Sequence, residues 1–406
     1  MQLVRSTLVE PLEEAYRVVL DGIAKSRGWV TSAEVARAGL LVRKLSDAYN
    51  GPTAAPVRGD EALAARLVFS FARDVPKGAG AVRELVATGA LAMPQDRPLR
   101  VLDVGAGLGA TARGAVRALA RAGGAGDVHV DAVDSDSLAL DLASAITRAR
   151  PTEGAINVEL RTFRASAASP LPVQGPYDLV ILGQVLSELD RDLGDARAQR
   201  HASLVQTLAQ LVRPDGSLVV VEPALRERTR HLHVVRDLVL ALPGVKLNVF
   251  APCVHDSPCP ILERPDAWCH EDLDVDLPPW LAPVARAAGL RWQGLTFSYL
   301  VLRRDERSQV PVADSAKPRH RLRVVSSPVV TKGKRELFLC GPFEGLPGAA
   351  QVKVMRLDRH RAPGNEAWDE AARGDVLTLT PAVPAARPRV EVATLVERAS
   401  PPSRPD

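Results

Sequence analysis

Cysteine is nearly absent from this chain, with four in 406 residues. That is too few for a disulfide framework and points to a reducing compartment. Aromatic residues are thin at 4%, which disfavours an RNA-recognition module built on stacked bases. No run approaches the roughly 18–20 apolar residues that a membrane span needs; the most apolar stretch, Leu179 to Leu182, is strand-sized. No segment repeats another. The amino-terminal MQLVRSTLVEPLEEAY does not read as a targeting peptide, because it carries Glu10, Glu13 and Glu14. These absences predict a soluble, cytoplasmic protein with no membrane partner, and a monomer is favoured.

What is present is ordinary in amount and uneven in placement. Apolar residues make up 46% and charged residues 25%, with a formal net charge of +4. At roughly 100–200 residues per domain, the length predicts two or three domains. A helical region is expected over 1–95, where Leu12, Ala15, Val18 and Val19 recur at helix spacing and TSAEVARAGLLVRKLSDAY and DEALAARLVFSFARDV follow. Pro76-Lys77-Gly78 is read there as an interruption. From Arg97 strands and helices alternate, which predicts a mostly parallel doubly wound sheet over 96–305. Short strands separated by Gly/Pro turns over 306–380 suggest a small basic β-rich domain. Six prolines among the last 26 residues predict a disordered tail over 381–406.

The first apolar strand, Leu99 to Val104, runs into Gly105-Ala106-Gly107-Leu108-Gly109 and then a helix. Such a loop lets the backbone approach a nucleotide-like ligand. Asp103 precedes it, and Asp134 ends the next strand, where a carboxylate can accept ribose hydroxyls. Asp103, Gly105, Gly107, Gly109, Asp134 and Gln184 are therefore the candidate cofactor-binding residues. The spacing D-x-G-x-G-x-G resembles motif I of the class I S-adenosylmethionine-dependent methyltransferases more than a dinucleotide fingerprint. No N/D-P-P-Y/F motif follows the fourth strand, and no cysteine nucleophile lies near it. Gln184 and Glu188 remain as substrate-side groups, and no catalytic residue is assigned.

Three of the four cysteines, Cys253, Cys259 and Cys269, lie within 17 residues of proline-rich loop (251–270), and Cys340 follows at the end of Leu337-Phe338-Leu339. Four thiolates can close a tetrahedral set around Zn²⁺ or hold an iron–sulfur cluster. The C-x₅-C and C-x₉-C spacings are loose for zinc. Between Lys317 and Arg335 the chain carries Lys317, Arg319, Arg321, Arg323, Lys332, Lys334 and Arg335 and no acid. That run is the candidate phosphate-contacting face.

Taken together, DVGAGLG, YDLVILGQVLSEL, VVVEP, APCVHDSPCP, WCHE and FSYLVLRR resemble the methyltransferase-like small-ribosomal-subunit assembly family of bacteria and mitochondria, over roughly residues 40–375. The resemblance implies an α/β class I S-adenosylmethionine-dependent methyltransferase (Rossmann-like) fold with an N-terminal helical cap and a small C-terminal β-rich domain. It implies a 4Fe-4S cluster on Cys253, Cys259, Cys269 and Cys340, with S-adenosyl-L-methionine at the glycine loop. Its implied partners are small-subunit rRNA and ribosomal proteins. A binding role in subunit assembly is the leading expectation; an active rRNA methyltransferase and a redox- or iron-sensing regulator of translation are the alternatives.

Overall fold

The structure is a computed structural model that describes residues 8–51, 59–307 and 321–399. The N-terminal cap consists of α1 (Glu14–Ser26), α2 (Val35–Asn50), α3 (Asp60–Ala65) and α4 (Phe71–Ala87). In α1 the buried residues Tyr16, Leu20 and Ala24 recur every fourth position, one face of a helix. A π-helical turn, Arg66–Ser70, joins α3 to α4. Contrary to the sequence expectation, α4 continues through Pro76. The reason lies in packing against α5 (Ala110–Arg121). A Cβ at Gly78 would sit 2.3 Å from the Thr111 carbonyl oxygen, and one at Gly114 2.0 Å from that of Val75. The two helices touch backbone to backbone, and this burial overrides the local breaker signal.

The central sheet contains β1 (Leu99–Val104), β2 (Ala125–Asp134), β3 (Thr152–Glu153), β4 (Ala155–Arg164), β5 (Tyr177–Gly183), β6 (Val212–Glu222), β7 (Asn248–Ala251), β8 (Glu271–Leu273) and β9 (Leu295–Arg303). Its order is β3-β4-β2-β1-β5-β6-β9-β7, with β8 on β9. Strands β4, β2, β1, β5 and β6 run parallel, and β9 enters antiparallel between β6 and β7. The helices α6 (Ser137–Ala149), α7 (Ala196–Ala209), α8 (Arg226–Ala241) and the short α9 (Ala282–Ala287) complete the domain. Five parallel strands with one antiparallel strand slotted beside the fifth make this the class I methyltransferase fold. Leu99 and Val101 of β1 join the core under α4 and α5, while Leu102 and Val104 join the opposite core under α7 and α8, as strand alternation requires.

The C-terminal domain is a second sheet of β10 (Arg321–Val324), β11 (Val329–Thr331), β12 (Lys334–Pro342), β13 (Ala349–Leu357), β14 (Val376–Thr380), β15 (Arg389–Val390) and β16 (Leu395–Ala399), with α10 (Ala367–Glu370) against it. Fully buried Trp368 centres its core. The expected disordered tail is corrected over its described part: β15 and β16 fall inside it, and Val383, Val390 and Val396 are buried in this core. The prolines there mark turns between short strands; residues 400–406 lie outside the described residues.

Candidate functional site

The carboxyl ends of β1, β2 and β5 form one edge of the central sheet, where open α/β sheets bind ligands. Gly105, Gly107 and Gly109 all adopt positive φ there. A Cβ on Gly105 would meet the Val185 side chain at 2.4 Å, whereas one on Gly107 would meet nothing within 4 Å. The loop is therefore packed below and open above Gly107. The Asp134 carboxylate accepts hydrogen bonds from the Gly107 N–H and the Asp136 N–H, both at 2.8 Å. Asp134 thus holds the loop, and its oxygens keep further lone pairs for a ligand hydroxyl.

Asp103, expected at the ligand, lies on the α5 side of β1 beneath the glycine loop. Alternation along β1 puts it with Leu99 and Val101 on the α5 side, in a cavity lined also by Leu108, Ala112, Val130, Ile146 and Leu160. Burial pushes its carboxyl up to about 7, with the Ala112 N–H lowering it and the Asp134 charge adding to the rise, and neither oxygen completes a hydrogen bond among the described residues.

The N-terminal cap brings charge to the ligand edge that the motifs did not announce. The Gln184 side-chain amide donates to Asp74 at 2.9 Å, and Gln184 itself has φ +61°. Lys77 lies 2.8 Å and Arg73 3.0 Å from Asp74. Burial alone would raise the Asp74 carboxyl, but these two cations hold it far below the usual range. Arg66 donates to the Tyr49 hydroxyl, and Arg191 and Arg228 both donate to the Tyr49 carbonyl. Glu188 is raised chiefly by burial, with Arg66 and the Tyr49 hydroxyl lowering it. Acids and cations side by side suit the ammonium and carboxylate of a zwitterionic amino-acid ligand, so the donor set fits S-adenosylmethionine.

The second gathering of functional side chains is the seam between the loop 251–270 and the C-terminal sheet. Cys340 sits opposite Arg323 on β10 and Gln351 on β13, and its sulfur lies 3.7 Å from His255 Nε2. Burial pushes the Cys269 thiol up to about 12, and the Cys253 charge adds to the rise. Cys259 and Cys340 are raised in the same order, by burial first and Cys253 next. Each rise draws in part on a neighbouring thiol, so the four cysteines of the two domains lie near one another. Among the described residues, no three His, Cys, Asp or Glu side chains close on one point as a single ion would demand. Zinc holds its sulfurs at about 2.3 Å; a four-iron core keeps its ligands farther apart. Four thiolates are a donor set that either Zn²⁺ or an iron–sulfur cluster would accept.

Helix α8 carries this loop. Arg230 donates to the carbonyls of Ile261, Leu262, Arg264 and Ala267 at 2.7–3.1 Å. His233 Nε2 lies 3.3 Å from the Cys269 carbonyl, and Arg236 donates to those of His255 and Ser257. Asp237 accepts from the Cys259 N–H at 2.8 Å. The positions 230, 233, 236 and 237 share one helix face, a polar stripe visible in RHLHVVRD and missed by motif reasoning.

The described residues of the basic run do not share one environment. Arg323 is 3% exposed and bonds Glu84, Glu271 and the Tyr299 hydroxyl, because its register beside Cys340 turns it into the methyltransferase domain. Arg335 donates to the Trp368 and Ala371 carbonyls, and Lys334 lies 3.1 Å from Glu336. Arg321 is half-buried and Lys332 exposed, while Lys317 and Arg319 lie outside the described residues.

Comparisons with known proteins follow this geometry. No curated protein matches the chain. Among solved structures, TrmN from Thermus thermophilus is 18% identical, covering 57% of this chain and 52% of its own, with a TM-score of 0.31. YcgJ from Bacillus subtilis is 14% identical over 54% of this chain and 95% of its own, at 0.30. Magnesium protoporphyrin IX methyltransferase from Synechocystis, solved with bound S-adenosylmethionine, is 13% identical over 72% and 98%, at 0.32. Likenesses this distant say nothing about what this chain does. No helix among the described residues is long and apolar enough to cross a membrane. The family described as mitochondrial small ribosomal subunit Rsm22 matches residues 65–371, a span that includes the glycine loop, the α8 stripe and all four cysteines, and the chain belongs to that family.

Proposed function

We propose that this protein is an rRNA-binding assembly factor of the small ribosomal subunit, in which a methyltransferase-like domain holds S-adenosylmethionine and a 4Fe-4S cluster joins that domain to the C-terminal sheet. The observation that carries the reading is the convergence of four thiols from two domains within a ribosomal family match. Cys253, Cys259, Cys269 and Cys340 would hold the cluster, which when bound supplies a rigid anionic cross-link and one-electron chemistry. Arg230, His233, Arg236 and Asp237 hold the backbone of the loop that carries three of those thiols. At the other edge, Asp134 and the open face above Gly107 would receive the ribose, and Lys77 and Asp74 the amino-acid end. A methyl-transferring role needs a polar group free to hold an acceptor. Gln184 has its amide on Asp74 and Glu188 has the Tyr49 hydroxyl, so the geometry favours binding.

Anaerobic purification with metal analysis tests the cluster: brown protein with about four iron atoms per chain is expected, lost in Cys259→Ser and Cys340→Ser. Colourless protein carrying stoichiometric zinc would overturn the assignment. Label from S-adenosylmethionine appearing in small-subunit rRNA would replace the binding role with an enzymatic one.

A further inference from the structure

The outer face of the C-terminal sheet is open beyond the cysteines. Leu337, Leu339 and Val354 point into the domain core, so alternation turns Glu336, Phe338 and Cys340 of β12, and Gln351, Lys353 and Met355 of β13, to the other side. Register adds Val329 beside Glu336 and Arg389 beside Met355. Cys340, at one end of this face, is covered by the loop 251–270. Phe338, one alternate position along, is half-buried, and the Arg264 guanidinium lies over its ring at 5.8 Å. Arg264 also donates to Gln351 at 3.0 Å, which joins loop and sheet into one surface. Trp268 is 39% exposed and stacked on His270 with an interplanar angle of 21°. Its predecessor Ala267 and Arg264 share one Arg230 nitrogen through their carbonyls, and the Ala267 N–H donates to the Arg264 carbonyl, so Trp268 follows directly on the turn that begins at Arg264.

The charge of this surface is positive. Its cations are Arg264, Lys334, Lys353 and Arg389. Its one sheet acid, Glu336, is bridged by Lys334 at 3.1 Å and Lys353 at 3.3 Å. The loop contributes Glu263 and Asp266, the latter 4.0 Å from Arg226. An exposed ring and a half-buried one among cations are what a single-stranded nucleic acid uses, since bases stack on rings and phosphates meet the cations. A duplex hides its base faces and gains only from the cations.

We propose that the seam of Arg264, Trp268, Phe338, Lys334, Lys353 and Arg389 binds a short single-stranded RNA segment, with bases stacked on Trp268 and Phe338. This rests on the reading of the chain as an RNA-binding ribosomal factor and names where, and in what form, the RNA lies.

Fluorescence anisotropy of the full-length protein with a labelled single-stranded RNA of about a dozen nucleotides, and with the same sequence as a duplex, tests it. Trp268→Ala should weaken single-strand binding about 5- to 100-fold and leave duplex binding unchanged, and Trp268→Phe should restore it. Lys353→Ala should weaken both and flatten the salt dependence by about 0.7 in log–log slope. Wild-type affinity for the single strand in both alanine variants would overturn the seam while leaving RNA binding elsewhere intact. No RNA binding by the wild type would overturn the functional reading with it. Loss of a ribosomal protein's binding in these variants, with RNA affinity kept, would make the seam a protein contact instead.

Discussion

At the glycine-loop edge, cations meet acids and hydroxyls more than carbonyls: Arg73 and Lys77 on Asp74, Arg66 on the Tyr49 hydroxyl beside Glu188, with Arg191 and Arg228 on the Tyr49 carbonyl. At the cysteine seam they meet carbonyls. Arg230 gives its guanidinium to four of them, and Arg236 reaches two besides its neighbour Asp237. The difference follows from what each region would hold. A zwitterion needs both signs within reach and little net field. Thiols must shed their protons to ligate iron, and cations paired with carbonyls keep positive charge beside them while fixing the backbone. The edge is balanced and the seam is biased.

The comparison breaks hardest at Arg323, a seam cation that nevertheless pairs with acids. It joins Glu84 of α4 and Glu271 of β8 to the C-terminal sheet, with Arg83 and Tyr299 in the same network, all nearly solvent-free. Arg323→Met leaves Arg83 as the cation this network keeps for two buried carboxylates, with the Tyr299 hydroxyl still on Glu84, and removing one partner of such a pair costs about 3–5 kcal/mol. Urea unfolding should show that loss, with the C-terminal sheet becoming sensitive to protease first. A loss below about 1 kcal/mol, the range of an exposed pair, would mean that the thiol centre alone docks the two domains.

Arg236→Met sharpens the contrast. Residues that orient ligands typically carry 10- to 100-fold in metal affinity; iron retained against a chelator should fall by about that much, while S-adenosylmethionine affinity stays at the wild-type value. An equal fall in both would show that α8, which touches the edge through Arg228 and the seam through Arg236, transmits between them.

How much of this could be seen in the sequence differs between the two regions for the same reason. The parallel sheet and glycine loop were legible because alternating apolar strands and a Gly-rich turn are local signals. The cysteines stand out in the sequence because three of these rare residues cluster in one loop. Pro76-Lys77-Gly78 read as a break because the Gly78–Thr111 and Gly114–Val75 approaches are made by residues far apart in sequence. The seven-cation run hid the strand alternation that buries Arg323, and prolines in the last segment outweighed Val383, Val390 and Val396, whose partners come from earlier strands. The acids and cations that the cap brings to the glycine loop carry no motif at all; only the fold assembles them.

Asp103 tests the smallest effect, on the α5 side of the glycine-loop edge. It lies within the edge's motif but under α5, so its carboxyl keeps its proton up to about pH 7, whereas the unfolded chain releases it near 3.8. Between those values the folded state binds more protons, so the stability this group supports is whole at low pH and is lost as pH rises through 7. From pH 6 to 7 the wild type should lose up to about 1 kcal/mol that Asp103→Asn does not, read as a difference between their melting curves. Glu222, which burial also lifts to about 7, titrates in both proteins and cancels from that difference. S-adenosylmethionine affinity should be the same in the two proteins at pH 6, where the buried carboxyl is mostly neutral. A large loss of affinity in Asp103→Asn with no change in the pH slope would put the carboxylate on the ligand, and the alternation along β1 would no longer account for its place.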